Sequence, residues 1–350
     1  MKFSLKKVVL ALGMGAFVLA GPSFMAAPVQ AAVSQNVKAA PAKKTTASKR
    51  AVSVKRTTVR NSKNSKSRRQ VRRRVIAPSQ ATLAGLRNTP DLLSLGSSVA
   101  FAVDQDTGEE LFSKNADIEL PIASVTKLMT ALVIAESGLQ LKEKLRITRE
   151  DYVRSKASSK LRSGMRMTRG AVLKAALMSS DNRAATALAR TYPGGRKAFV
   201  RKMNETAERL GMTNSVFADP SGLDNRNHST ARDLAKLVAE AHKHEMIRES
   251  STMPFASVYA GRQRLKLVTT NRLIGNPDWN IGIQKTGFTT AAGRCMVVQS
   301  EFADRRVVMV LLDSPNSAQR AADMQSMRRY VENESSINEQ FDSMHPYEVF

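Results

Sequence analysis

Apolar and polar positions fall into clear periods only beyond about residue 90. Val99–Val103 and Glu110–Ser113 are short β-type runs, and Asp104-Gln-Asp-Thr-Gly108 between them supplies turn chemistry, which predicts strand, turn and strand. From Ser124 the period becomes helical, with Leu128, Met129, Leu132 and Val133 at three- and four-residue spacing. Arg169–Ser179 carries Val172, Leu173, Ala176 and Leu177 on one stripe. Arg196–Leu210 carries Phe199, Val200, Met203, Ala207 and Leu210, and stops at Gly211. Thr230-Ala-Arg-Asp233 resembles a capping box ahead of Leu234, Leu237, Val238 and Ala241. Strands then return at Phe255–Ala260, Arg264–Thr269, Ile281–Thr289, Arg294–Phe302 and Arg306–Asp313, with Asp304-Arg305 as the last hairpin turn. A final helix is predicted over Ser317–Glu332, followed by a loosely ordered polar tail, 333–350.

Strands, a block of helices and strands again imply an α+β architecture. The expectation is one antiparallel sheet covered by helices, with an inserted helical lobe and a cleft between lobe and sheet edge. The globular domain is predicted over 92–332.

The chain before it reads differently. Lys2, Lys6 and Lys7, the apolar Val8–Ala20 and the small residues near Ala31 and Ala32 form a secretory signal over 1–32, which predicts export to the periplasm. That apolar stretch is too short and too interrupted for a confident membrane span. Residues 33–78 have no aromatic residue and few large apolar ones, so they are predicted to be a disordered basic arm. Net charge is +25, but residues 1–90 hold 19 Lys and Arg and no acid. The basic character therefore belongs mainly to the arm, for which anionic envelope polymers or membrane headgroups are the expected partners. Export and the lack of a binding fold argue against nucleic acid. The single cysteine, Cys295, excludes an intrachain disulfide and reads as a small buried hydrophobe. Four histidines show no ligand spacing, so neither metal nor cofactor is expected, and His228 reads as a structural hydrogen-bonder.

The candidate chemistry begins at Ser124 and Lys127. Three residues apart on a helix, hydroxyl and amine can meet. A partly desolvated lysine, its pKa lowered by burial, can act as base for a serine nucleophile. Ser180-Asp-Asn182 follows downstream, and Lys285-Thr-Gly287 lies in a strand-like segment. Each motif is weak alone; the ordered trio is the pattern of active-site-serine penicillin-recognising enzymes. Over roughly 95–314 the chain resembles the penicillin-binding protein and β-lactamase superfamily. Phe217-Ala-Asp-Pro-Ser-Gly-Leu223 and His228-Ser-Thr-Ala231 resemble the low-molecular-mass D-alanyl-D-alanine peptidases, especially endopeptidases of the penicillin-binding protein 7 type.

That resemblance implies a serine peptidase acting on peptidoglycan stem peptides and covalently inhibited by β-lactams. It implies Ser124 as nucleophile, Lys127 as base and Ser180 as relay to the departing amine. Asn182 would hold a substrate amide. Lys285 would supply fixed positive charge, Thr286 a hydrogen bond, and Gly287 close approach of the substrate backbone in an edge strand. The oxyanion hole would be the backbone N–H groups of Ser124 and Phe288, and Asp181 would be structural. A class A β-lactamase is disfavoured, because Asn214–Pro220 has no glutamate for deacylation. Family carboxypeptidases commonly add a β-rich domain and an amphipathic anchor. Sixty-three residues follow Gly287, and their polar end lacks an apolar stripe, which favours an endopeptidase over a carboxypeptidase. A non-catalytic cell-wall binding module is the remaining alternative, and the intact motifs argue against it.

Overall fold

Alternation along the strands decides how this protein is layered. The computed structural model describes residues 77–155 and 157–344, with side chains as far as Glu334. The expected secretory signal, nearly all of the basic arm and residues 345–350 lie outside the described residues. The chain runs through α1 (Gln80–Leu83), β1 (Val99–Asp104), β2 (Glu110–Lys114), β3 (Leu120–Pro121) and α2 (Thr126–Glu136). Next come β4 (Lys144–Arg146), β5 (Arg166–Thr168), α3 (Arg169–Met178), α4 (Asn182–Arg190), α5 (Gly195–Arg209), β6 (His228–Ser229), α6 (Ala231–His242) and α7 (Glu245–Thr252). The last elements are β7 (Phe255–Ala260), β8 (Gln263–Val268), β9 (Asn280–Thr289), β10 (Gly293–Phe302), β11 (Arg305–Ser314) and α8 (Ser317–Met344).

Five strands form an antiparallel sheet in the order β2-β1-β11-β10-β9. Register sets Phe101 opposite Val310 and Ala100 opposite Leu311. Successive side chains on a strand point to opposite faces, so both faces are filled. Val99, Phe101, Cys295, Val297, Val308, Val310 and Leu312 pack into one apolar cluster with α2, α3, α4 and α6. Ala100, Ala102, Met296, Val298, Val307, Met309 and Leu311 pack into a second with Met324, Met327 and Val331 of α8. That is why these strands read as continuous apolar runs rather than alternating ones.

The α+β expectation holds, with specific differences. Phe255–Ala260 and the following strand do not join the main sheet; β7 and β8 form a separate hairpin whose inward residues Val258, Ala260, Leu265 and Leu267 pack against the helical side. The last hairpin turns at Ala303-Asp304, one residue earlier than expected, with φ of 50° and 51°. Both central residues are left-handed, as a two-residue turn matching strand twist requires. α8 continues to Met344, through much of the segment expected to be a loose tail. Ordered packing also starts before Leu92: Gln80 N–H bonds Ala291 O, and Asn115 Nδ2 donates to Leu86 O. The buried Lys114–Asp91 ion pair at 2.9 Å ties this lead-in to β2.

Candidate active site

Ser124 lies not within a regular α-helix but on a 3-10 turn, Ala123–Val125, that runs directly into α2. The approach is held by β3 paired with β6, with Ile122 N–H on Asn227 O. Ala123 has φ +48°, a strained position for a residue with a Cβ. Thr126 Oγ1 donates to Ala123 O at 2.8 Å and accepts from Asn227 Nδ2 at 3.2 Å, which fixes the turn. From Thr126 to Ile134 every α2 side chain is buried, so the helix is central rather than one-faced.

Lys127 is fully buried, with Nζ 2.8 Å from Ser124 Oγ. The same nitrogen donates to Asn182 Oδ1 at 2.7 Å and to Ser221 O at 2.6 Å. Burial lowers its pKa to about 7, although the carboxylates of Asp219 and Asp181 oppose the shift. Asn182 begins α4, and its Nδ2 donates to Ser155 Oγ at 3.1 Å. Asn182 Oδ1 thus orients Lys127, while Nδ2, which carries two N–H groups, spends one of them on Ser155. Asp181 caps α4 by accepting from Ala184 N–H at 3.0 Å, and it also accepts from Ser159 Oγ. The structure gives it a helix-capping role.

Ser180 sits between α3 and α4 with φ +53° and accepts from Lys285 Nζ at 3.0 Å. Lys285, on β9, is fully buried and also donates to Thr286 O at 2.8 Å. Desolvation first, then Lys127 and Arg320, pushes its pKa well below the usual lysine value. An ammonium here would be stabilised by an anionic partner. Thr286 Oγ1 is 2.7 Å from Thr270 Oγ1. β9 is an edge strand, and a Cβ on Gly287 would lie 3.0 Å from Ser124 N and 3.1 Å from Ile122 O. Glycine allows the strand to approach the serine turn this closely. Phe288 is exposed on β9, with Arg294 over its ring at 4.6 Å.

Sequence reasoning noticed Phe217–Leu223 without giving it work, and the structure does. Asp219 accepts from Ser221 N–H, Ser221 Oγ, Gly222 N–H and Asp224 N–H. That turn presents Ser221 O to Lys127, while Pro220 O accepts from Thr130 Oγ1 at 2.6 Å. Carbonyl ligands leave no side-chain signal, so Ser221 could not have been chosen by residue type. His228 is paired on both nitrogens, to Arg226 O at 3.0 Å and Glu119 at 3.2 Å, in agreement with a structural role. Cys295 is buried, and desolvation raises its pKa to about 12. Among the described residues, Glu136, Glu240 and His244 converge closely enough to suggest a cation site. Arg209 and Lys243 already pair with those carboxylates.

The D-alanyl-D-alanine carboxypeptidase family model matches residues 87–316, which include every residue of this site. The chain belongs to that family of serine hydrolases. A D-alanyl-D-alanine endopeptidase of Pseudomonas aeruginosa is 42% identical over 241 residues, 68% of this chain and 78% of the relative. One from Escherichia coli is 37% identical over 259 residues, covering 73% and 84%. Carboxypeptidases also match, including one of Bacillus subtilis at 31% identity, covering 72% of this chain and 66% of the relative. Among solved structures, a mutant of a Streptomyces DD-transpeptidase aligns with TM-score 0.63 and 29% identity, over 68% of this chain and 98% of that one. Penicillin-binding protein D2 of Listeria monocytogenes in its cefotaxime-bound form aligns with TM-score 0.62 and 30% identity, over 69% and 99%.

Proposed function

We propose that this protein is a penicillin-sensitive D,D-endopeptidase that opens D-alanyl–diaminopimelate cross-links in peptidoglycan through an acyl-Ser124 intermediate. The observation that carries the chemistry is the set of contacts around Lys127 Nζ. A neutral amine has two N–H groups and one lone pair. Asn182 Oδ1 and Ser221 O take the two N–H groups, so the lone pair is left for the Ser124 hydroxyl, 2.8 Å away. A pKa near 7 makes that neutral form abundant at neutral pH.

In the first half-reaction Ser124 Oγ attacks the D-alanyl carbonyl and its proton passes to Lys127. The negative oxygen is held by the N–H groups of Ser124 and Phe288; one such donor is typically worth about 3–4 kcal/mol. Ser180, hydrogen-bonded to Lys285, passes its hydroxyl proton to the leaving amine as the peptide bond breaks and takes back the proton held by Lys127, which leaves both groups as they began. Water then attacks the ester and releases the acyl stem. The substrate backbone lies along β9, with Thr286 and Gly287 beside it and Lys285 charged when a carboxylate is near. A penicilloyl-Ser124 is long-lived, because Asp219, the acid in the Asn214–Pro220 stretch, has its carboxylate engaged by four donors.

One feature supports the endopeptidase over the carboxypeptidase reading: the two relatives of highest identity reported above bear the endopeptidase name. The domain plan proposed with it is a secretory signal over 1–32, a basic arm over 33–78 held near anionic envelope polymers, and a periplasmic peptidase domain. The decisive assay supplies purified cross-linked dimers and monomeric pentapeptides side by side and identifies products by mass. Dimers converted to monomers faster than pentapeptides lose D-alanine is the expected result. Rapid loss of terminal D-alanine with dimers intact would refute it.

A further inference from the structure

The β7–β8 hairpin has an outward face that no part of the described protein covers. Its register pairs Phe255 with Val268, Ser257 with Lys266, and Tyr259 with Arg264. Phe255 and Tyr259 are 67% and 64% exposed, far above what large aromatic side chains show in a packed domain. Arg264 and Lys266 have no carboxylate partner among the described residues, whereas Arg226, Arg232, Arg305 and Arg306 elsewhere on the surface are each paired with acids. The inward face is anchored firmly, with Leu267 and Val258 buried.

The hairpin base is part of the cleft. Ser179, next to Ser180, bonds the backbone of Val268 both ways, its Oγ donating to Val268 O at 3.1 Å and accepting from Val268 N–H at 3.3 Å. Two residues further on, Thr270 meets Thr286. The aromatic and basic face therefore rises directly from the site that holds Ser180 and Thr286.

We propose that this face docks the peptidoglycan strand beyond the scissile bond: amino-sugar rings against Phe255 and Tyr259, and the carboxylates of the attached stem against Arg264 and Lys266. This rests on the endopeptidase reading, since such a strand is what lies past a cross-link. Ser257 and Lys266 interrupt the aromatic pairs, so the face lacks the unbroken apolar wedge that insertion into a bilayer uses. Charge of one sign beside the cleft also draws an anionic polymer toward it.

The test uses the full chain carrying Ser124→Ala, so that binding is read without cleavage, and follows pelleting with purified sacculi. In about 1 M salt, where the arm's attraction is screened within about 3 Å, added Phe255→Ala/Tyr259→Ala is expected to weaken retention about fivefold or more. At low salt, Arg264→Glu/Lys266→Glu is expected to weaken it likewise. The same pairs of substitutions on the Ser124 enzyme, labelled with fluorescent penicillin, establish that the site has assembled. Unchanged retention on sacculi by both variants would overturn the proposal. So would wild-type binding to phosphatidylglycerol vesicles that the aromatic variant loses while its sacculus binding persists. Loss of sacculus binding by the variants, together with a wild-type Ser124 enzyme that fails to open dimers, would refute the bond assignment and leave the docking face standing.

Discussion

Replacing Gly222 with alanine tests whether the Phe217–Leu223 turn shapes the serine turn it packs against. Gly222 has φ +79°, and a Cβ there would lie 1.8 Å from Ala123 O, 2.4 Å from Ala123 C and 2.8 Å from Thr126 Oγ1. Reaching even a 3.0 Å contact requires the two backbones to separate by about 1.2 Å. The segment that must move is the residue before Ser124, already held at φ +48°. The left-handed backbone costs an alanine about 1–2 kcal/mol, and a misplacement of about 1 Å at the reacting group can cost roughly 100-fold in rate. Gly222→Ala should therefore acylate with penicillin about 100-fold more slowly, measured by intact mass against time. Gly211→Ala is the control: φ is +66° but nothing lies within 4 Å of the added Cβ. It should lose about 1 kcal/mol of stability, a few degrees in Tm, with its acylation rate preserved. A Gly222→Ala enzyme that acylates within threefold of wild type would refute the idea that this turn positions Ser124.

The lowered pKa of Lys127 gives a pH dependence with a definite sign. Below about pH 7 the amine is protonated and cannot accept the serine proton, so the acylation rate should rise with pH across roughly 6–8 and then level; a flat profile would count against Lys127 as base. Lys127→Ala should slow acylation by about 10²–10⁴-fold, and a rate within a few-fold of wild type would place the base elsewhere. Deleting residues 33–78 should leave turnover of a small soluble substrate unchanged while weakening low-salt sedimentation with sacculi; unaltered sedimentation would make the arm a spacer.

The long periodic segments were legible because burial imposed their patterns: β9, β10, β11 and the buried stripes of α3, α5 and α6 lie where the spacing predicts them. β4 and β5 are three residues each, too short for any period to register, and they were missed. α4 is built on alanines, and its start at Asn182 was masked by reading Ser180–Asn182 only as a chemical motif, although Asp181 is an ordinary N-cap. β7 and β8 have a strand pattern, but periodicity cannot say which sheet a strand joins. At the site, side-chain identity disclosed Ser124, Lys127, Ser180 and Lys285. It could not disclose Ser221, which acts through a carbonyl, or Thr270, whose hydroxyl meets Thr286 from across the chain. Burial, which no sequence period reports, also pushes the pKa of Lys285 well below the usual lysine value.

The claim that ties the geometry to function is that Lys127 activates Ser124 for covalent acyl transfer. The most direct measurement is proteolytic mapping by mass of the protein after brief exposure to penicillin. The account predicts a single penicilloyl adduct on the peptide containing Ser124, and none on the Ser124→Ala enzyme at unchanged Tm. An adduct on Ser180, or on any residue of the Ser124→Ala enzyme, would contradict it.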